Sequence, residues 1–196
     1  MSSHDALARL QAQPALRVRQ RITPMVNRYE IRAINGDGSH GDILAMAQQK
    51  RMALKEQVTF YADEDRTVPL FGFKARNVVD LAGVSDVLDA TGSPIGTFRK
   101  DFAASLLRST WYCGSVNGPE ARGQERNMPI ALLRRFVFEG LPYHFDFVYS
   151  DGRPLMAVNK KFAFGRDSYD VLISDPAADR RVIAAMAVAL DALQAR

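Results

Sequence analysis

Cysteine and histidine are scarce: the 196 residues include one of the first and three of the second. A single thiol, Cys113, excludes an internal disulfide framework, and the expected compartment is a reducing one. His4, His40 and His144 are scattered, and with Cys113 they offer no ligand spacing for a structural zinc. G-x-S-x-G, P-loop, G-x-G-x-x-G and H-E-x-x-H patterns are all missing. No apolar run approaches the ~20 residues a membrane-crossing helix needs. No basic stretch followed by a long apolar run opens the chain, so no signal peptide is expected and the default location is cytoplasmic. Net charge is only +4, although the pI is near 9.4. Anionic partners are thereby open but not marked, since the tilt is mostly a statement about solubility.

What is present is most distinctive at the C-terminal end. Val182–Leu193 reads V-I-A-A-M-A-V-A-L-D-A-L, with Asp191 its only charge. Ile183, Met186, Leu190 and Leu193 form a stripe at helical period, and alanines and valines fill most of the remaining circumference. A helix apolar nearly all round belongs inside a core. Asp175 as N-cap and Pro176 as first residue predict a helix over 176–195.

The rest reads as strands. Leu16, Val18, Gln20 and Ile22 alternate with Arg17, Arg19 and Arg21, which predicts a half-buried strand with a basic outer face. Tyr29–Ile34 resumes the alternation, and Asn35-Gly36-Asp37-Gly38 is a turn. Ile43–Glu56 is rich in helix formers among neighbours that favour strands. Three segments then repeat one another: Val68–Lys74 (V-P-L-F-G-F-K), Ser93–Arg99 (S-P-I-G-T-F-R) and Arg153–Asn159 (R-P-L-M-A-V-N). Each follows a polar turn and an apolar strand and ends in basic residues, the signature of β-hairpins in a meandering sheet or barrel. Asn117–Asn127 reads as an exposed loop, and Met128–Phe136 as a short helix or strand start. Residues 1–14 read as an arm, either a frayed helix or disordered, and 15–196 as one domain with about twelve strand candidates.

Taken in order, Phe60–Arg76, Val84–Lys100 and the apolar C-terminal helix resemble the Tubby C-terminal-like superfamily, in its scramblase-like and LURP-one-related branch. The resemblance spans Leu16 to Leu193. It implies a mainly β fold, a closed antiparallel barrel of twelve strands around a central hydrophobic C-terminal helix, and it reads Ile43–Glu56 as strands. It also implies a phospholipid connection: Tubby-type members bind phosphoinositides through basic side chains, and scramblases act on phospholipids. The chain lacks the cysteine-rich stretch and Pro-rich arm of typical scramblases.

The residues themselves suggest three functions. Lys74, Arg76, Arg99, Lys100, Lys160 and Lys161 recur at corresponding strand ends, as do Lys50-Arg51, Lys55 and Arg134-Arg135 elsewhere. Gathered on one rim, such side chains would grip phosphate, Arg bidentately and Lys as a point charge. Together with the resemblance, this predicts a non-enzymatic module for a phosphoinositide headgroup, another anionic ligand, an acidic protein surface or a membrane surface, peripheral to the membrane. The alternative is a structural or protein-interaction barrel without a small ligand, its charges serving solubility. The third is an enzyme using Cys113 or His144, with Asp146 completing a triad. Asp63-Glu64-Asp65 and Asp86…Asp89…Gly92 lack EF-hand spacing and read as hairpin punctuation, so neither metal nor cofactor is expected. Nucleic acid is disfavoured because aromatics do not interleave with the basic clusters.

Overall fold

The computed structural model describes residues 2–21, 23, 26–49, 57–76, 83–101, 109–126, 144–161 and 168–194. Helix α1 (Ser3–Gln11) leads into β1 (Ala15–Arg21), β2 (Arg28–Ile34), β3 (His40–Gln49), β4 (Gln57–Tyr61), β5 (Pro69–Ala75) and β6 (Ser85–Asp89). There follow β7 (Pro94–Lys100), β8 (Thr110–Ser115), β9 (Ala121–Glu125), β10 (His144–Tyr149), β11 (Pro154–Lys161), β12 (Ser168–Ile173) and helix α2 (Arg180–Gln194). Each strand pairs antiparallel with its sequence neighbours, and β1 pairs with β12 to close the barrel. Odd-numbered strands therefore all run one way. Their ends form a far rim, and their starts form a near rim that carries the hairpin turns.

The threefold repeat is the chemistry of those turns. In β4–β5, β6–β7 and β10–β11 the register shifts by one residue just after Pro69, Pro94 and Pro154. The residue after each proline (Leu70, Ile95, Leu155) is thus the bulged one, and a bulge turns an extra side chain toward the core. Leu70 and Phe71 are both buried, as are Leu155 and Met156. Proline is tolerated because each opens its strand. The Asp63 carboxylate accepts from the Thr67 and Val68 N–H groups, and Asp89 accepts from those of Thr91 and Ser93. Gly92 and Gly152 supply the left-handed residue at φ +88° and +85°, a place that Arg66 takes at φ 60° in the β4–β5 turn.

Inside lies α2. Ala184 through Leu190 are fully buried, and Val182 and Ile183 nearly so. Its 15 residues measure about 22 Å, close to the length of a seven-residue strand. Aromatic side chains fill the inner wall, with Phe60 stacked on Phe71 at 4.2 Å and Phe73 edge-on to Phe98 at 5.0 Å. What remains admits only a slender helix. At Gly96 an added Cβ would stand 2.6 Å from Val182 Cγ2, so wall and helix touch through a missing side chain.

Three expectations are revised. The helix begins at Arg180, not 176, because Asp175 makes a turn instead: its carboxylate accepts from Ala177 N–H at 2.9 Å and from the Tyr149 hydroxyl at 2.8 Å. Asp179 is the capping residue, accepting from Arg181 N–H at 2.9 Å. The arm of residues 1–14 holds a capped helix whose Ala6 and Leu10 are fully buried. Gln11 accepts from Arg180 N–H and donates to the Ala178 carbonyl, so α1 lies where α2 enters at the near rim. Within the stretch read as a loop, Ala121–Glu125 is strand β9. Its polarity misled because Ala121 and Gly123 face inward as small residues, Gly123 leaving the room that the Phe147 ring occupies. Ile43–Gln49 is strand, whereas 50–56 and 128–136 lie outside the described residues.

The seam between β1 and β12 carries a buried ion pair. Arg17, 5% exposed, donates from Nε and Nη2 to the two carboxylate oxygens of Asp170 at 2.6 and 3.0 Å. Burial acts to raise the Asp170 pKa, but the hydrogen bonds from Arg17 and Lys161 outweigh it and hold the carboxyl below its usual range.

Two stability outcomes follow. Ala187→Asp places a carboxylate in the fully packed axis, costing several kcal/mol, a large part of a domain's stability. The product should be insoluble or unfolded by circular dichroism, whereas a soluble variant with unchanged melting temperature would contradict the buried helix. Asp170→Asn leaves Arg17 buried without its counter-charge and should cost about 3 kcal/mol at pH 7 by urea denaturation. A depressed folded pKa gives stability that is complete above the unfolded value of ~3.9 and is lost as pH falls through the lower, folded one. The gap between wild type and variant should therefore narrow below about pH 4, and a constant gap would refute the assignment.

Candidate functional site

Strand alternation sorts the basic residues at the far rim into two sets. On β5 and beyond, Lys74 and Arg76 face outward; Arg99 on β7 and Lys161 on β11 do likewise. Lys100 and Lys160 fall on the inward parity, at the mouth of the barrel. There the Lys100 ammonium lies 5.6 Å from the Trp111 ring, and that of Lys160 lies 5.7 Å from the Tyr169 ring. The six share a rim but are not one patch: β5 and β11 stand on opposite sides of a twelve-stranded ring. Lys50, Arg51, Lys55, Arg134 and Arg135 lie outside the described residues.

Most of the outward set is occupied. Arg99 stacks on Tyr112 at 3.8 Å and donates to Glu120 at 3.0 Å, and Lys161 pairs with Asp170 at 2.7 Å. Arg76 takes Asp86 with Nε and Nη2, at 2.7 to 3.0 Å. Asp86 also stands directly across from Lys74, but a guanidinium fork matches a carboxylate better than a point charge does. Lys74 is exposed and has no ion-pair or hydrogen-bond partner among the described residues.

Lys74 also borders a cavity of about 310 Å³ on the outer wall of β4, β5 and β6. Gly72 is its floor, and an added Cβ there would stand 2.6 Å from the Val58 carbonyl oxygen. Gln57 and Thr59 supply neutral polar groups on one side, and Leu88 and Thr91 line the other. The result is a groove with one uncommitted ammonium, neutral polar groups from Gln57 and Thr59, and at its turn end the Asp89 carboxylate, whose charge is taken up by the Thr91 hydroxyl and the Thr91 and Ser93 N–H groups.

The mouth contains groups that sequence reading did not select. Asp191, near the end of α2, accepts from the hydroxyl of Tyr29 on β2 at 2.9 Å and from that of Tyr169 on β12. These two strands flank β1, so Asp191 ties the helix end to both sides of the closing strand. Its being the only charge within Val182–Leu193 was a usable signal. The tyrosines gave none, because a Tyr at a strand start is ordinary until its hydroxyl finds a partner. Glu125, 1% exposed, lies at the same mouth.

The catalytic grouping is not assembled. Cys113 is buried inside the barrel, where burial pushes its thiol far up, away from the reactive thiolate. His144 and Asp146 are on the outer wall, His144 against Asn159 at 3.1 Å and Asp146 held by Arg126 at 2.5 and 2.8 Å. The acidic turns are similarly engaged. The Thr67 hydroxyl and nearby N–H groups hold the Asp63 pKa low, and Thr91 and Ser93 do the same for Asp89. No group of residues that could hold a metal ion occurs among the described residues. Nor is any helix among them long and apolar enough to cross a membrane.

Comparison with known proteins yields no matching curated protein and no matching solved structure. A family model does match, that of the LURP-one-related proteins, over residues 44–191. That span runs from β3 through the hairpin repeats to Asp191 in α2. The chain belongs to the LURP-one-related family, within the Tubby-like superfamily.

Proposed function

We propose that this barrel is a non-enzymatic binding module for a ligand with a free phosphate group, the headgroup of a polyphosphorylated inositol lipid or another such anion, held at the groove on β4–β6. The observation that carries the reading is Lys74: an exposed ammonium, unpartnered among the described residues, beside a cavity floored by glycine. Arg76, two residues on and facing the same way, orders the neighbouring carboxylate and keeps it from neutralising Lys74. Arg99, Lys100, Lys160 and Lys161 add to the potential of the far rim while keeping their wall and mouth contacts. The protein would work peripherally, at the cytoplasmic face of a membrane. Membership of a Tubby-like family is consistent with a binding barrel, although fold alone assigns no ligand.

The test is flotation with phosphatidylcholine vesicles carrying a polyphosphorylated inositol lipid. Lys74→Glu should weaken binding at least tenfold, roughly what the loss and reversal of one well-placed charge supplies. Its melting temperature should stay within a few degrees of wild type, since exposed unpaired positions cost under ~0.5 kcal/mol. Binding should also fall as salt shortens the screening length toward ~8 Å. Wild type that fails to float at low salt would overturn the reading, as would Lys74→Glu floating like wild type.

A further inference from the structure

A different part of the wall carries more cations than its carboxylates take up, although Arg17 is paired with Asp170 and both Arg21 and Arg32 are paired with Glu30. Between β1 and β2 the outward cross-strand pairs are Arg17 with Arg32, Arg19 with Glu30, and Arg21 with Arg28. Two of the three set like charges directly opposite each other, an arrangement that destabilises a sheet. The counter-charges are the deeper groups. Glu30 and Asp170 side chains are 5% and 12% exposed, under Arg21 at 36% and Lys161 at 52%. A partner approaching this face meets cations first.

Arg19 has no partner among the described residues, and Arg28 has only the neutral Gln48 amide. That amide also receives Arg66 Nη1 at 2.8 Å. Arg66 holds the left-handed turn position where Gly38, Gly92 and Gly152 serve in other turns, so a strained arginine is kept where glycine would be unstrained. Glu64, reached by Arg21, is the exposed carboxylate here, and Asp42 is taken by Arg9. The positive field is felt nearby: desolvation first, then Arg17, Arg19 and Arg32, hold the His40 pKa below its ordinary value.

We infer that the outer wall of β12, β1, β2 and β3, with Arg66, is a second anion-binding surface, one that lies against an anionic bilayer through delocalised charge and needs no particular headgroup. It extends the phosphate-binding reading but rests on residues other than Lys74. The wall's outward side chains between Arg17 and Arg32 include no aromatic for stacking bases, and a barrel wall offers neither helix nor ribbon to enter a duplex groove. Leu172, 50% exposed, borders the patch on β12 and suits shallow contact with the interface.

The experiment uses phosphatidylcholine vesicles with and without phosphatidylserine, whose headgroup makes no demand on the β4–β6 groove. Each basic residue near an anionic surface is worth about fivefold in affinity. Arg19→Gln with Arg28→Gln should thus lower phosphatidylserine-vesicle affinity roughly 25-fold, whereas Lys74→Glu should leave it nearly unchanged. Arg66→Gly guards against a folding artefact: it relieves the left-handed strain, so its melting temperature should not fall, while affinity drops about fivefold. Absence of wild-type binding to phosphatidylserine vesicles at low salt would overturn the inference, and so would unchanged binding by the double variant. Binding to an acidic peptide or single-stranded DNA without vesicle binding would also overturn it. Loss of inositol-lipid binding in Lys74→Glu alone tests the groove, so the two proposals fail separately.

Discussion

The packing of one helix against a complete ring of strands is what the rest of this structure depends on. Every face of α2 from Val182 to Leu190 is apolar and buried, so nothing short of a closed wall keeps it from water. The wall in turn cannot fill its own interior, because a closed ring of twelve strands is wider than the roughly eight-stranded barrel that inward side chains alone can fill. Helix and barrel are thus mutually required. The seam is reinforced at both levels, by Arg17–Asp170 across β1 and β12 and by Asp191 joining Tyr29 and Tyr169 at the helix end.

Closure has a further consequence for charge. With no sheet edge to protect, the barrel has no need of edge cations to discourage pairing. Cations on its outer wall must be explained by solubility, local pairing or partners. Pairing accounts for Arg76, Arg126 and Arg99, each held by a carboxylate. It does not account for Lys74, nor for Arg19 and Arg28 on β1 and β2. Those two exceptions lie on different arcs of the wall. One suits a compact anion in a groove, and the other suits a broad anionic plane, where affinity grows by summing weak contacts.

The near and far rims divide the labour of the fold. The near rim holds the Asp-opened, bulged turns and is sealed by α1 through Gln11 and Arg180. Arg180, 5% exposed, donates to the carbonyls of Gln13, Pro176 and Ala178, supplying donors at a crowded chain crossing. Such a rim is built for stability. Among the described residues, the far rim holds the strand-end cations and Asp191 with its two tyrosines.

Local chemistry made much of the fold legible in the sequence. The all-round apolarity of Val182–Leu193, the period-two alternation of β1 and the thrice-repeated turn–proline–apolar unit each act within a few residues, so each could be read without neighbours. β9 could not, because small inward residues beside Phe147 look polar and loop-like until Phe147 is in place. The start of α2 was misread because Asp175 and Asp179 are equally good caps in isolation, and only the Tyr149 hydroxyl fixes Asp175 in a turn. Residue type and spacing marked the basic strand ends as candidates. Which of them remain available was decided by cross-strand register and by competition for single carboxylates: Arg76 takes Asp86 and leaves Lys74 exposed. That outcome depends on atoms brought together from separate strands, and a linear sequence does not contain their distances.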